Sequence, residues 1–355
     1  MNMRIEEILR KSVDMGGSDV FIIPASCVTA KCNGIMTALP DEEKLKTEDT
    51  LHLINEIYQI AERDMNKLKE SGDDDFSFSI EHVGRFRCNA YKQRNSYAAV
   101  LRIVTFTLPN PSELNIPDSI MDLADIRKGM VLVTGPAGSG KSTTLACIID
   151  KINHNRPGHI ITLEDPLEFL HSHDKSIITQ REVMQDTENY DTALRAALRQ
   201  APDVILLGEM RDYETIHTAL TAAETGQLLL SSLHTIGAAK TIDRIIDVFP
   251  AGQQAQIRVQ LSMVLKAVVS QQLVPTVDGS LVPCFEIMKV TPAIETMIRE
   301  EKIYQIDNVI YQGADEGMCT MNGSLEKLYR AGKITLDTAM VYSTNPEQMG
   351  RRLMV

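Results

Sequence analysis

The chain has 355 residues, 43% of them apolar and 24% charged, with a formal net charge of −12; that is length enough for two domains with cores of their own, in a composition ordinary for a globular protein. The acidic balance argues against a general nucleic-acid binder, which needs a basic face, and no apolar run reaches the roughly 18 residues of a membrane-spanning helix. The six cysteines (27, 32, 88, 147, 284 and 319) form no C-x-x-C pair, which leaves no zinc spacing or disulfide framework and fits free thiols in a reducing cytoplasm.

In chain order, Met1-Asn2-Met3-Arg4-Ile5-Glu6-Glu7 carries acids where a secretory leader has its apolar core, so no leader is expected. Residues 4–15 put Ile5, Ile8, Leu9 and Val13 on one helical stripe, ended by Gly16-Gly17. Val20-Phe21-Ile22-Ile23 predicts a strand stopped by Pro24, and 28–32 predicts a second. Residues 47–70 read as helical segments with Leu51, Ile54, Ile57 and Tyr58 on one face, and Asp73-Asp74-Asp75 reads as a solvated turn. A hairpin follows, with strands near 83–92 and 97–106. A turn at Arg94-Asn95 places Arg87 directly opposite Arg102, with Arg85 on the face of Arg87. Like charges so placed repel; the pair is tolerable if solvated and useful where an anion docks. Pro109, Pro111 and Pro117 then mark a stiffened linker. The expected organisation is a small α+β domain at 1–108, a linker at 109–118, and a P-loop α/β domain at 119–355.

The second part opens on Met130-Val131-Leu132-Val133-Thr134, a β-prone run, followed by Gly135-Pro136-Ala137-Gly138-Ser139-Gly140-Lys141-Ser142-Thr143 and a helical stretch at 144–150. Strand, glycine loop and helix form the setting in which G-x-x-x-x-G-K-[ST] binds a nucleoside triphosphate. The loop aims backbone N–H groups at phosphate oxygens and the helix N-terminus adds partial positive charge. Lys141 would reach the β- and γ-phosphates, and the Ser142 hydroxyl would serve Mg²⁺. His159–Leu163 predicts a strand running into Glu164-Asp165-Pro166-Leu167-Glu168. A helix over 187–200 precedes Asp203-Val204-Ile205-Leu206-Leu207-Gly208-Glu209, a Walker B pattern with Gly208 where an Asp often stands. Asp212 is expected to cap a helix over 213–225 ended by Gly226, and Leu228–Leu233 predicts a buried strand ending at His234-Thr235. A helix is expected from 251 to 273, marked by Ile257, Leu261, Val264, Leu265 and Val268, then a strand from Leu281 to Met288. The remainder reads as short helices broken by Gly313, Gly317, Gly323 and Gly332.

Phosphate hydrolysis needs a cradle, a metal, a polarised water and a group that senses the γ-phosphate. Glu164 is the first candidate for the water, against a capping or salt-bridged role, and Glu209 is the second and a candidate Mg²⁺ ligand. Asp165 and Glu168 suit supporting roles, and His234 suits a hydrogen bond to the γ-phosphate, against a structural one.

Ile161–Phe169 resembles an Asp box, Gly208-Glu209-Met210-Arg211-Asp212 a Walker B, and Ser232-Leu233-His234-Thr235 running on to Pro250 a His box. With the P-loop, these four ordered motifs resemble the secretion-superfamily ATPases, and within them the type IV pilus retraction group, over nearly the whole chain. The resemblance implies a PAS-like N-terminal domain, a RecA-like C-terminal domain, and a ring-shaped homohexamer that binds ATP and Mg²⁺ between domains. It further implies arginines given by the N-terminal domain to the ATP site, at positions matching Arg87 and Arg102. Its partners would be an inner-membrane pilus platform protein and, in some systems, a paralogous pilus ATPase, at the cytoplasmic face of the membrane; no nucleic-acid partner is implied. Three departures stand out: Ala137 replaces a Thr, Ser18-Asp19-Val20-Phe21 replaces Ser-Asp-Leu-His, and Ala293–Glu300 carries Glu295 where the retraction group has an Arg. The last is a charge reversal that bears on coupling to the pilus rather than on hydrolysis.

Other readings stay open at this level. Assembly and secretion ATPases of the same superfamily usually carry a longer N-terminal region and a four-cysteine zinc insertion; against that reading, the sequence is short and has no C-x-x-C. A nucleic-acid translocase on the same core would want basic grooves and stacking platforms, against a −12 charge and 5% aromatics. A regulatory paralogue that binds ATP without turnover is favoured by Glu295 and opposed by Lys141, Glu164, Glu209 and His234.

Overall fold

A computed structural model describes residues 4–32, 34–40, 43–104 and 108–353. The leader reading at 1–3, the strand end at 105–106 and the last residues, 354 and 355, lie outside the described residues. The chain divides into two units, residues 1–107 with 168–170, and residues 108–167 with 171–355.

The first unit contains α1 (Ile5–Asp14), β1 (Gly17–Ile22), β2 (Thr29–Cys32), β3 (Ile35–Ala38), α2 (Thr47–Ile60), α3 (Asn66–Ser71), β4 (Asp73–Ile80), β5 (Gly84–Gln93) and β6 (Ser96–Val104). The strands form one antiparallel sheet in the order β3-β2-β1-β6-β5-β4. Alternate residues of each strand face the helices: Val20 and Ile22, Phe86 and Cys88, Leu101 and Ile103 pack with Ile5, Leu9, Ile54 and Ile57. Arg87 and Arg102 are therefore on the opposite face. The hairpin turn falls at Arg94-Asn95, both with positive φ, and Arg87 is paired with Arg102 as expected.

Two expectations need correction here. Leu51 is exposed, and the buried face of α2 runs through Leu53, Ile54, Ile57 and Tyr58 instead. Asp73–Asp75 is the start of β4, not a solvated turn. Asp74 is buried because Tyr58 donates its hydroxyl at 3.0 Å, while Arg63 and Lys67 approach at 3.5 and 3.1 Å. A run of three acids reads as solvent-facing locally, and only distant donors make burial of the middle one tolerable.

The second unit contains α4 (Asp118–Met121), β7 (Gly129–Thr134), α5 (Lys141–Asn155), β8 (Gly158–Glu164), β9 (Ser176–Glu182), α6 (Tyr190–Ala197), β10 (Val204–Leu207), α7 (Tyr213–Glu224), β11 (Leu228–Leu233), α8 (Ala238–Asp247), α9 (Ala251–Val264), β12 (Leu265–Pro275), β13 (Leu281–Lys289), α10 (Pro292–Arg299), α11 (Ile306–Gln312), α12 (Met321–Arg330), α13 (Leu336–Val341) and α14 (Pro346–Leu353). Its sheet runs β13-β12-β7-β11-β10-β8-β9, parallel throughout except for the antiparallel edge strand β13. One face packs α5 through Leu145, Ile148, Ile149 and Ile152. The other packs the helices from α6 to α11 through residues such as Leu194, Ile216, Ile242, Leu261 and Ile294. Burial on both faces explains the continuous apolar strands seen in the sequence. Residues 108–118 group with this second unit, and Ile116 is buried in its core.

The helix expected over 251–273 ends at Val264 and becomes β12 at Leu265. Val268 and Val269 then pair with β7 on one side and β13 on the other. A segment buried on both faces has no alternation, so apolar spacing alone cannot separate helix from strand. The strands β3, β4 and β9 are not signalled by the sequence pattern. Gly323 does not break a helix: it lies in the first turn of α12, where its N–H donates to Thr320 Oγ1 at 3.0 Å. Among the described residues, no helix is long and apolar enough to cross a membrane.

Candidate nucleotide site

The glycine loop leaves β7, inside the sheet, and enters α5 with Gly140 as its N-cap. Pro136, Ala137 and Gly138 form an exposed crest, while Gly135, Ser139 and Lys141 are buried. Gly135 has φ +144°, and a Cβ there would run into the Gln271 carbonyl oxygen. Lys141 folds over the loop and donates to the carbonyls of Gly135 and Pro136, each at 3.0 Å. Ser142 and Thr143 lie in the first turn of α5, beside the unfilled backbone N–H groups of the helix start. Ser139 Oγ is buried with no hydrogen-bond partner among the described residues. A buried hydroxyl donor, an ammonium resting on carbonyls and a helix N-terminus make a cradle whose donors outnumber its acceptors, which suits a polyanion.

Because the strands are parallel, the carboxyl ends of β7, β11, β10 and β8 lie along one edge, in that order. They end in the glycine loop, His234, Gly208-Glu209 and Glu164 respectively. Four adjacent strands thus bring together residues spread over a hundred positions of sequence. Glu209 joins two neighbours: its Oε2 meets His234 Nε2 at 3.1 Å and its Oε1 meets Arg211. Its own side chain is mostly buried, while His234 is half exposed. The Arg211 guanidinium is held above its ordinary range by the bond to Glu209. Asp165 follows Glu164 directly, and Glu168 falls in the 168–170 segment that groups with the first unit.

In the first unit, Asp19, Arg102, Arg87 and Ser77 form one row across four strands. Arg102 Nε donates to Asp19 Oδ1 at 3.1 Å. Arg87 holds Asp75 through two bonds, Nη2 to Oδ2 at 2.8 Å and Nε to Oδ1 at 3.2 Å. The like-charged pair is therefore flanked by a carboxylate for each member.

Two further residues lie near the glycine loop and the acidic strand ends without a motif in the sequence to mark them. Gln271 of β12 accepts from Thr144 Oγ1 at 2.7 Å, and its amide nitrogen stands 2.9 Å from where a Cβ of Gly140 would be. Adjacent glutamines in an otherwise apolar run were the available signal. Tyr190, the first residue of α6, explains Gly208: a Cβ there would come within 2.8 Å of the Tyr190 hydroxyl. Burial, with the charges of Glu209, Asp165 and Glu164, pushes that phenol's pKa up, so it stays neutral.

For a metal, the Ser142 hydroxyl and the Glu209 carboxylate are hard oxygen donors of the kind Mg²⁺ takes. Among the described residues no group of three or more His, Cys, Asp or Glu side chains could hold a metal on its own.

Residues 2–338 match the type II/IV secretion system protein family. A twitching motility protein of Neisseria gonorrhoeae is 51% identical over 276 residues, covering 78% of this chain and 74% of its own. The type IV pilus retraction ATPase PilT of Pseudomonas aeruginosa is 42% identical over 349 residues, covering 97% and 99%. A solved structure of the pilus retraction motor PilT with bound ADP superposes with a TM-score of 0.88 at 44% identity, covering 99% of this chain and 100% of that one.

Proposed function

The chain belongs to the type II/IV secretion system protein family, and from that membership we propose that it is an ATP-hydrolysing motor that powers type IV pilus retraction. The retraction role rests on the likeness to retraction ATPases, and the hydrolytic chemistry is supported by the convergence of the glycine loop, Glu164, Glu209 and His234 on adjacent parallel strand ends. Loop N–H groups and Lys141 hold the β- and γ-phosphates, exchanging the Gly135 and Pro136 carbonyls for phosphate oxygens. Glu164 polarises the attacking water. His234, oriented by Glu209, donates to the γ-phosphate and reports its loss. Ser142 and Glu209 would hold Mg²⁺, which when bound would neutralise phosphate charge. Arg87 and Arg102 come to the transition-state charge from the first unit, a contribution of about 10³–10⁵ in rate for arginines of this kind. The working assembly is a homohexamer acting on a platform protein at the cytoplasmic face of the membrane, and the near-full-length likeness to a retraction ATPase supports that assignment.

Steady-state ATPase activity with oligomeric mass tests the reading. The wild type should turn over ATP as a hexamer, and Glu164→Ala should stay hexameric with kcat lower by about two decades or more. A hexamer that binds ATP without turnover would replace the motor with a scaffold.

A further inference from the structure

Glu286 of β13 is buried, 6% exposed, and takes no part in the chemistry described above. Its Oε1 accepts the Ala238 N–H at 2.8 Å, and its Oε2 accepts the Met321 N–H at 3.3 Å. Ala238 opens α8, directly after the turn that begins at His234, and Met321 opens α12. One carboxylate thus caps two ten-residue helices, where unfilled N–H groups and the helix dipoles favour negative charge. The N-cap of α8 is Gly237, which has no side chain to offer, so the cap comes from a neighbouring strand. The same turn is tied elsewhere: Gly237 N–H donates to Ser270 Oγ at 2.9 Å, and Thr241 Oγ1 donates to the Gly237 carbonyl at 2.8 Å.

We propose that Glu286 is a positioning residue that sets the His234 turn and joins it to α12, so that a change at the γ-phosphate reaches the carboxy-terminal helices. The inference rests on the nucleotide-site reading above. Its physical basis is that both acceptor oxygens belong to one planar group. A shift of the start of α8 therefore either carries the carboxylate away from Met321 or breaks the bond to Ala238.

Glu286→Gln keeps the shape but leaves one acceptor oxygen, and its amide N–H₂ faces a second N–H donor. The test measures kcat and KM for Mg-ATP in the wild type, Glu286→Gln, His234→Ala and the double variant. Glu286→Gln should lower kcat by about tenfold with KM within about twofold, and the double variant should lose less than the product of the two single losses. An unchanged kcat in Glu286→Gln, or losses that multiply, would overturn the proposal. His234→Ala with full activity would instead overturn the site assignment on which it rests. The wild type gives a check independent of any variant's folding. Amide hydrogen exchange over residues 318–325 should differ between the ADP-bound and the ATP-analogue-bound states, and identical exchange sinks the link to α12.

Discussion

Arg87 and Arg102 stand directly opposite each other on the β5–β6 hairpin, yet their partners differ in grip. Arg87 holds Asp75 through two bonds, whereas Arg102, with a side chain 70% exposed, makes a single bond to Asp19. Exposed pairs contribute roughly 0.2–1 kcal/mol, so Arg102 can exchange its carboxylate for a transition-state phosphate at small cost, whereas Arg87 must release a two-pronged grip. Replacing Arg87 or Arg102 with Ala should lower kcat by about three decades and leave nucleotide affinity nearly unchanged. ATPase kinetics alongside titration with a fluorescent nucleotide would decide this. Full activity in both variants would make the pair a solvated surface feature.

Glu209 meets His234 and Arg211 with its two oxygens, and the two contacts should matter unequally. Glu209→Gln should cost two or more decades in kcat, the scale of a lost acid–base or metal-binding group. Arg211 has a side chain 70% exposed, so Arg211→Ala should change kcat by only a fewfold. The two rate constants, measured at saturating Mg-ATP, check the asymmetry.

Gly135→Ala tests the cradle. The substitution forces an L side chain into a left-handed backbone and against the Gln271 carbonyl. A cost of about 1–3 kcal/mol from the backbone alone is expected, with loss of nucleotide binding because the loop must move. Urea unfolding and nucleotide titration report the two effects separately.

His171 is buried, and burial pulls its pKa down to about 4. An unfolded His titrates near 6.5, so between those values the unfolded chain binds a proton that the folded chain refuses. Stability should be fully present above about pH 6.5 and fall as the pH drops toward 4, by up to roughly 3 kcal/mol from this residue. His171→Gln should flatten that part of the profile in unfolding experiments at fixed salt. An unchanged slope would mean that other groups carry the acid sensitivity.

What the sequence determined by itself was whatever short-range chemistry states. The strand, glycine loop and helix at 130–150 form a contiguous motif, and Asp212 caps α7 through Thr215 N–H within one turn. The pairing of Arg87 with Arg102 followed from a turn and a period of two. Apolar strands ending in acids announced a parallel sheet and hence one functional edge. What tertiary structure decided depends on neighbours far away in the chain. The chain leaves a helix for a strand at Leu265 because β7 and, from Ala267 onward, β13 offer hydrogen bonds on its two sides. Asp74 is buried because Tyr58, Arg63 and Lys67 surround it, and a side chain at Gly208 would crowd the Tyr190 hydroxyl and the Leu163 carbonyl. Glu286 looks like any polar residue in a strand until the starts of α8 and α12 meet on it. Local rules describe what a segment prefers, whereas burial, capping between elements and close approach belong to pairs of segments that only the folded chain brings together.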